Sequence, residues 1–462
     1  MNILILGYGL EGKSVENYFK EDPSRAEHTS LEILDNFKKE ELLFKDFSNY
    51  DLIFRTPSIP PKFINAPKEK ITSVTKFFFS NCPCPIIGVS GTKGKGTTCS
   101  FTRDILSSIF SFESVNEPKF EAEGPRTFLV GNIGTPALDV LSDLKEGDVV
   151  IYELSSFQLW DLEKSPAVSV LLRLEPDHLD VHDSVEEYYS AKENLLSHQS
   201  PEDFCIFFKN NERTARLSQS SAGEKLPYPL DSSDPAKKTL DEVLDNLTVP
   251  GKHNREDAEA ALLASFAYYK KFKHYEKDFL NFLSEFDEPI SSALKNFKSL
   301  PHHIEFVREL NGVKYYDDSF STVFPSLEAA LNSFPEAPLV LIAGGKDKGF
   351  DLGPAKRAIF DKKNLLKAVL IGETAEKLAE GEDPEKIFRA EKDFELAVEK
   401  AREFAEEKLN EEEMNSDTCL IDAKPEIKTP VVLLSPCASS FDMFESYKKR
   451  GDIFKELVNN LD

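Results

Sequence analysis

The chain has 462 residues, too many for one ordinary core, and the length alone predicts about three domains. Hydrophobic residues at 40% and charged residues at 30% are the proportions of a soluble globular protein. A formal charge of −25 argues against the clustered basic face of a nucleic-acid-binding protein, and any anionic substrate must be met by local cations or metal.

The opening MNILILGYGL lacks a basic head and reaches glycine at residue 7, so it predicts a strand and not a signal peptide. No apolar run approaches the roughly 18 residues that a membrane span needs, so no insertion is expected. The cysteines at 82, 84, 99, 205, 419 and 437 show no paired Cys-x-x-Cys sets. Reduced thiols in a cytoplasmic protein are therefore expected.

Strand-like and helix-like runs alternate along the chain, which predicts an α/β fold with mainly parallel sheets. The first segment, 1–82, reads ILILG, a helix through Phe19, then LEILD (31–35) and DLIF (51–54). After the breaker-rich NCPCP (81–85) comes a second segment, 83–299. Its strands are PIIGVSG, DVVIYEL (148–154), AVSVLLRL (167–174) and CIFF (205–208), with helices at 185–197 and 254–271. In the third segment, 300–462, IEFVREL-NGV-KYYDD has the alternation and Asn-Gly turn of a hairpin. PLVLIAGG (338–345), KAVLIG (367–372), KIFRA (386–390) and VVLLSPC (431–437) follow, alternating with helices. Residues 406–429 are polar, acidic and aperiodic, which predicts an exposed insertion, and Pro118–Pro125 predicts another surface excursion.

Gly7-Tyr8-Gly9-Leu10-Glu11-Gly12 follows a strand, and Asp35 ends the next one, as in a dinucleotide-binding turn with an acid for a ribose hydroxyl. Taken alone this motif predicts an NAD-dependent oxidoreductase, although the same geometry serves any diphosphate, UDP-sugars included. The second glycine-rich turn, Gly91-Thr92-Lys93-Gly94-Lys95-Gly96-Thr97-Thr98, joins a strand to a helix. Such a turn aims backbone N–H groups and an ammonium at phosphate oxygens. Lys95 can reach the β- and γ-oxygens, and Gly96 stands where many such loops carry Ser or Thr, so the hydroxyl for Mg²⁺ falls to Thr97.

Glu153 ends the strand VVIYEL, where a carboxylate beside a phosphate loop can hold Mg²⁺. The next strand runs into Glu-Pro-Asp177-His178-Leu-Asp180. His178 alone could be a structural hydrogen-bonder; beside Glu153 it reads as a second metal ligand. Lys192 follows Tyr188 by one helical turn, and by spacing alone it reads as a surface lysine paired with local glutamates.

GTKGKGTT, ELSSFQL, PDHLD, the Tyr-x-x-x-Lys helix, Lys-His253-Asn254, LPHH, DDS, GGKDKG and SPCASSFDMFESYKKRG occur in the order found in the Mur ligase family. The resemblance covers essentially the whole chain. It implies three domains: a Rossmann-like UDP-sugar-binding domain (1–82), a central P-loop ATPase domain (83–299) and a Rossmann-like amino-acid-binding domain (300–462). ELSSFQL and the SPCAS…RG ending resemble the family member that adds D-glutamate to UDP-N-acetylmuramoyl-L-alanine. The implied reaction passes the ATP γ-phosphoryl group to a carboxylate, giving an acyl phosphate that the incoming amine attacks.

The resemblance assigns Lys95 and two Mg²⁺ ions to charge neutralisation, with Thr97, Glu153 and His178 around the metals. It reverses the surface reading of Lys192, which matches a carbamylated, metal-holding lysine. His253, Asn254, His303 and Asp318 match nucleotide-contacting positions. Gly7, Gly9, Leu10, Asp35, Gly131 and Asn132 match UDP-sugar contacts, and Thr322, Lys348, Ser440, Phe441 and Tyr447 the amino-acid site. Small-molecule substrates and a monomer are implied. Four positions depart from the pattern: His303 replaces an arginine, Asp257 an asparagine, Phe320 a lysine and Val323 an asparagine. The lost cation at Phe320 leaves the amino acid less firmly implied than the reaction.

Overall fold

The computed structural model describes residues 1–116, 124–417 and 428–462. The chain forms two compact units, one of Met1–Leu247 with Arg255–Asn296 and the other of Thr248–Asn254 with Phe297–Asp462. Three sheets lie in the three predicted segments, two of them in the first unit.

The first sheet is parallel, in the order β2-β1-β3-β4, from β1 (Asn2–Leu6), β2 (Ser30–Leu34), β3 (Leu52–Arg55) and β4 (Ile71–Ser73). The second comprises β5 (Ile86–Ser90), β6 (Thr127–Gly131), β7 (Val149–Glu153), β8 (Val168–Leu171), β9 (Phe204–Phe208) and β10 (Glu224–Tyr228). They are all parallel in the order β10-β9-β8-β5-β7-β6. β5, β7, β8 and β9 are buried at every residue. Helices cover both faces of such a sheet, which is why these strands read as continuous apolar runs. One hydrophobic cluster runs from Ile3, Ile5 and Phe54 through Phe78 and Phe79 to Val150, Tyr152 and Leu171, so the first two sheets share a core.

In the second unit the sheet order is β11-β12-β16-β13-β14-β15. It is built from β11 (Glu305–Leu310), β12 (Val313–Asp317), β13 (Leu339–Gly344), β14 (Leu365–Ile371), β15 (Ile387–Glu391) and β16 (Val431–Leu434). β11 and β12 form the expected hairpin, turning at Asn311 (φ 50°) and Gly312 (φ 78°), the positive dihedrals of a type I′ turn. The remaining pairs are parallel.

Among the described residues, three strands escape the sequence reading: β4, only three residues long, β6 (TFLVG), and β10, which carries Glu224, Lys225 and Pro227. The predicted aperiodic insertion is corrected in part, because residues 406–417 continue the helix Phe394–Asp417. Residues 418–427, and 118–123 of the other predicted excursion, lie outside the described residues. No helix among the described residues is long and apolar enough to cross a membrane.

Candidate functional site

In the first unit the glycine-rich loop 91–98 leaves the end of buried β5 and opens the helix Lys95–Asn116. Its glycines are required by contact as well as by dihedral. A Cβ on Gly91 would sit 2.6 Å from Leu172 Cβ, and one on Gly94, whose φ is +83°, 2.5 Å from an Asp257 carboxylate oxygen. Thr98 N donates to Gly94 O in the first bond of the helix, leaving the amides of Lys95, Gly96 and Thr97 at its positive end.

Thr92 stitches the loop to the chain beyond β8. Its N–H donates to Arg173 O, its hydroxyl donates to Glu175 O and accepts from Glu175 N, and it shares a 2.9 Å hydrogen bond with the Tyr188 hydroxyl. Lys93 is exposed. Thr97 is half-buried in the first helical turn, and Thr98 is fully buried.

Two ammonium groups meet at one carbonyl. Lys95 Nζ donates to Gly91 O and Thr92 O, each at 3.0 Å, and Lys192 Nζ donates to Gly91 O at 3.0 Å and Ser90 Oγ at 3.2 Å. Lys192 is 1% exposed, which overturns its surface reading. The helix Val185–Glu193, capped by Ser184, presents this residue inward together with Tyr188, whose ring lies 4.9 Å from the ammonium. Burial pushes the Lys192 pKa well below the usual lysine range, and the Lys95 charge pushes it further; Asp177 and Glu153 act the other way. Lys95 is lowered by burial too, opposed by Glu153 and Asp177.

Glu153 ends β7 in register with Val89 of β5, so the sheet itself carries this carboxylate to the loop. It is 5% exposed, and one oxygen accepts from Asn132 Nδ2 at 3.0 Å. Asn132 follows β6, whose last residue, Gly131, has φ +106°. His178, also at positive φ (54°), is exposed. Its ring centroid lies 4.9 Å from that of Phe157 and 6.5 Å from that of Tyr188. The structure thus groups Lys95, Lys192, Glu153, Asn132 and Asp177 around the loop, with His178 at the rim beyond Tyr188. The Glu153 carboxylate and the Thr97 hydroxyl offer hard oxygens of the kind Mg²⁺ takes, and the exposed His178 adds an imidazole nitrogen, so the chemistry of these donors fits the ion.

The other glycine turn lies at the end of β1. Gly7 has φ +84°, and a Cβ there would sit 2.3 Å from Thr56 Oγ1, while one on Gly12 would sit 2.2 Å from Gly7 O. Tyr8 N donates to Asp35 Oδ1 at 3.1 Å, so the acid at the end of β2 fastens the turn as well as facing it. Gly9 caps the helix Leu10–Lys20, and Leu10 is exposed.

The second unit gathers another set. Asp318 is buried behind β12. It accepts from Ser435 Oγ at 2.7 Å and Ile304 N at 3.3 Å, and burial pushes its pKa up to about 8, with Asp317 adding to the rise. His303 is stacked on Phe320 at a centroid distance of 4.0 Å and 26°, and Phe320 meets the edge of Tyr447 at 5.3 Å. Burial lowers the His303 pKa, so a neutral imidazole and a phenyl ring occupy the two positions where the family pattern has cations. Tyr447 starts the helix Tyr447–Asn459, and its carbonyl accepts from Ser319 Oγ. Ser440 is buried, Thr322 half-buried, and Lys348 and Phe441 exposed. Val323 is exposed at the cap of the helix Phe324–Asn332. His253 and Asn254 open the helix Lys252–Phe272, and Asn254 Nδ2 donates to Pro250 O.

Some residues of these sites carried no sequence signal of their own. Asp257 was visible only as a departure, yet its carboxyl packs on Gly94 and burial raises its pKa well above the usual range, the Thr98 hydroxyl opposing. Arg450, fully buried, donates to Ser319 Oγ, Ser319 O and Ala438 O and so ties the Asp-Asp-Ser turn to the terminal helix. Asn132, matched to UDP-sugar contacts, places its side-chain amide on Glu153.

Residues 89–265 match the family model described as the Mur ligase middle domain. A UDP-N-acetylmuramoylalanine–D-glutamate ligase of Clostridium botulinum is 32% identical over 429 residues, covering 89% of this chain and 83% of that one. The ligase of the same name from Ruminiclostridium cellulolyticum is 33% identical over 444 residues, covering 90% and 84%. Among solved structures, a UDP-N-acetylmuramoylalanyl-D-glutamyl-2,6-diaminopimelate–D-alanyl-D-alanyl ligase of Acinetobacter baumannii superposes with TM-score 0.53 at 12% identity, covering 89% and 85%. A folylpolyglutamate synthase of Mycobacterium tuberculosis complexed with ADP gives TM-score 0.51 at 11% identity, covering 84% and 93%. At such identities the structural likenesses show the fold alone.

Proposed function

The chain belongs to the Mur ligase family, and from that premise we propose that it is an ATP-dependent ligase joining D-glutamate to UDP-N-acetylmuramoyl-L-alanine in peptidoglycan precursor synthesis. The observation that carries the proposal is the pair of ammonium groups on Gly91 O, set beside Glu153 at the mouth of a phosphate loop. Two anions, a terminal phosphate and a carboxylate, repel each other, and lowering that repulsion is the main task of such a site.

In this reading the amides of Lys95, Gly96 and Thr97 and the Lys95 ammonium bind the ATP phosphates, and Lys95 moves from its loop carbonyls to the γ-phosphate. Mg²⁺ would be held by Thr97, Glu153 and His178, and when bound it neutralises charge on the phosphates. Lys192 is assigned a carbamate. Burial lowers its pKa and so favours loss of a proton from the ammonium; the amine then attacks carbon dioxide and loses a second proton, leaving an anionic side chain facing Lys95 and the metal site. The carboxylate of the UDP-linked acceptor then takes the γ-phosphoryl group, and the incoming amine displaces phosphate from the acyl phosphate.

Residues 1–82 are assigned to the UDP-sugar through Gly7, Gly9, Leu10 and Asp35, and 83–299 to ATP. Residues 300–462 are assigned to the amino acid through Thr322, Lys348, Ser440, Phe441 and Tyr447, with His253, Asn254, His303 and Asp318 on the nucleotide. Action as a cytoplasmic monomer belongs to the same proposal. Family membership removes the oxidoreductase reading of the first glycine turn.

Purified protein with ATP, Mg²⁺ and UDP-N-acetylmuramoyl-L-alanine is expected to release phosphate only when D-glutamate is added, with product of the matching mass. A second reading, ligation of another amino acid, is favoured by the stacked His303–Phe320 pair. Turnover with a different amino acid and none with D-glutamate would establish it.

A further inference from the structure

Residues 82–85 join the helix Val74–Asn81 to β5, the strand that feeds the phosphate loop. Cys82 and Cys84 flank Pro83 there, with sulfurs 3.7 Å apart and Cys82 Sγ 3.4 Å from Cys84 O. We propose that these two residues form a reversible dithiol site, which a low-molecular-weight disulfide oxidises to an intrachain Cys82–Cys84 bond.

The geometry is permissive. A disulfide bond is about 2.0 Å long, so roughly 1.7 Å must be closed, within the arc that turning about Cα–Cβ allows each sulfur. The backbone that presents them is held in place: Cys82 N donates to Phe78 O at the helix end, and Pro83 fixes its own φ. Access is unequal. Cys82 is half-buried and Cys84 buried, so a small disulfide meets Cys82 first. The other described cysteines, 99, 205 and 437, are buried too, and none has a thiol partner among the described residues.

The chemistry follows the same asymmetry. The Cys84 thiol hydrogen-bonded to Cys82 lowers the Cys82 pKa, and the same contact raises that of Cys84. Lys164 Nζ, donating to Phe79 O, adds positive charge at this helix end. The Cys82 thiolate attacks one sulfur of the small disulfide, forming a mixed disulfide and expelling one thiolate. Capping Cys82 removes the charge that held the Cys84 proton. Cys84 then loses that proton, attacks Cys82 Sγ and expels the second thiolate. Overall two protein thiols are oxidised and one small disulfide is reduced to two thiols.

Trypsin releases Phe77–Lys93, a peptide whose only cysteines are this pair. The folded wild-type protein is incubated with glutathione disulfide, alkylated, digested and weighed. The expected peptide is lighter by two hydrogens, carries no alkyl group, and returns to the doubly alkylated form after dithiothreitol. Cys84→Ser should instead retain one glutathione on Cys82, and Cys82→Ser should react about tenfold more slowly than wild type. Two alkylated thiols in the treated wild type, or a stable mixed disulfide on it, would overturn the proposal.

Discussion

Replacing Asp318 by asparagine isolates one buried proton. In the folded protein this carboxyl titrates at about 8, against an ordinary 3.8. Between those two values the unfolded chain is ionised while the folded carboxyl keeps its proton. Stability therefore falls as pH rises through this window, by at most about 1.4 kcal/mol per unit, and levels off above the folded pKa. At pH 7 the accumulated cost approaches about 4 kcal/mol, and relaxation around the charge reduces it to roughly 2–4 kcal/mol. An amide fits the same place. Its oxygen accepts from Ile304 N, and its NH₂ donates to Ser435 Oγ, whose hydroxyl rotates to accept. Asp318→Asn should match the wild type near pH 4 and exceed it at pH 7, by roughly 5–10 °C in the melting of the second unit. The assay is thermal unfolding of both proteins from pH 4.5 to 8.5, read as a difference so that shared titrations cancel. A difference that stays flat with pH would refute the reasoning.

Lys95→Ala should lower phosphate release by about 10²–10³-fold, because it removes charge stabilisation from a site shielded from water; turnover within a few-fold of wild type would exclude that role. Lys192→Ala should lose at least about a hundredfold by the same argument, with partial return on adding a short carboxylate. Full activity without one would refute the carbamate assignment. Phe320→Lys breaks the stack with His303 and supplies a cation worth about 1 kcal/mol to a bound carboxylate, so the KM for D-glutamate should fall about 3–10-fold while that for ATP holds. An unchanged KM for D-glutamate would separate Phe320 from the amino-acid site.

Much of this protein is legible along the chain. Both glycine turns, the alternation of strands and helices, the Asn-Gly hairpin and Glu153 at a strand end are local patterns, and local sterics and hydrophobic period enforce them wherever they occur. β4 and β10 were not legible, because short or polar strands take their conformation from pairing with a neighbour instead of from their own residues; β6 likewise was legible as a strand only through its pairing with β7. Lys192 shows the same limit at the site. On its helix it is one lysine among glutamates, and only the packing of that helix under Gly91 strips it of water and sets it against Lys95. Asp257 and Phe320 stood out in sequence as odd residues, but contact with Gly94 and stacking on His303 are tertiary facts. The sequence by itself determined which chemical groups are present and which backbone turns present them. The tertiary structure decided which charges are desolvated and which face one another, since burial and distance between remote segments set the energies of ionised groups.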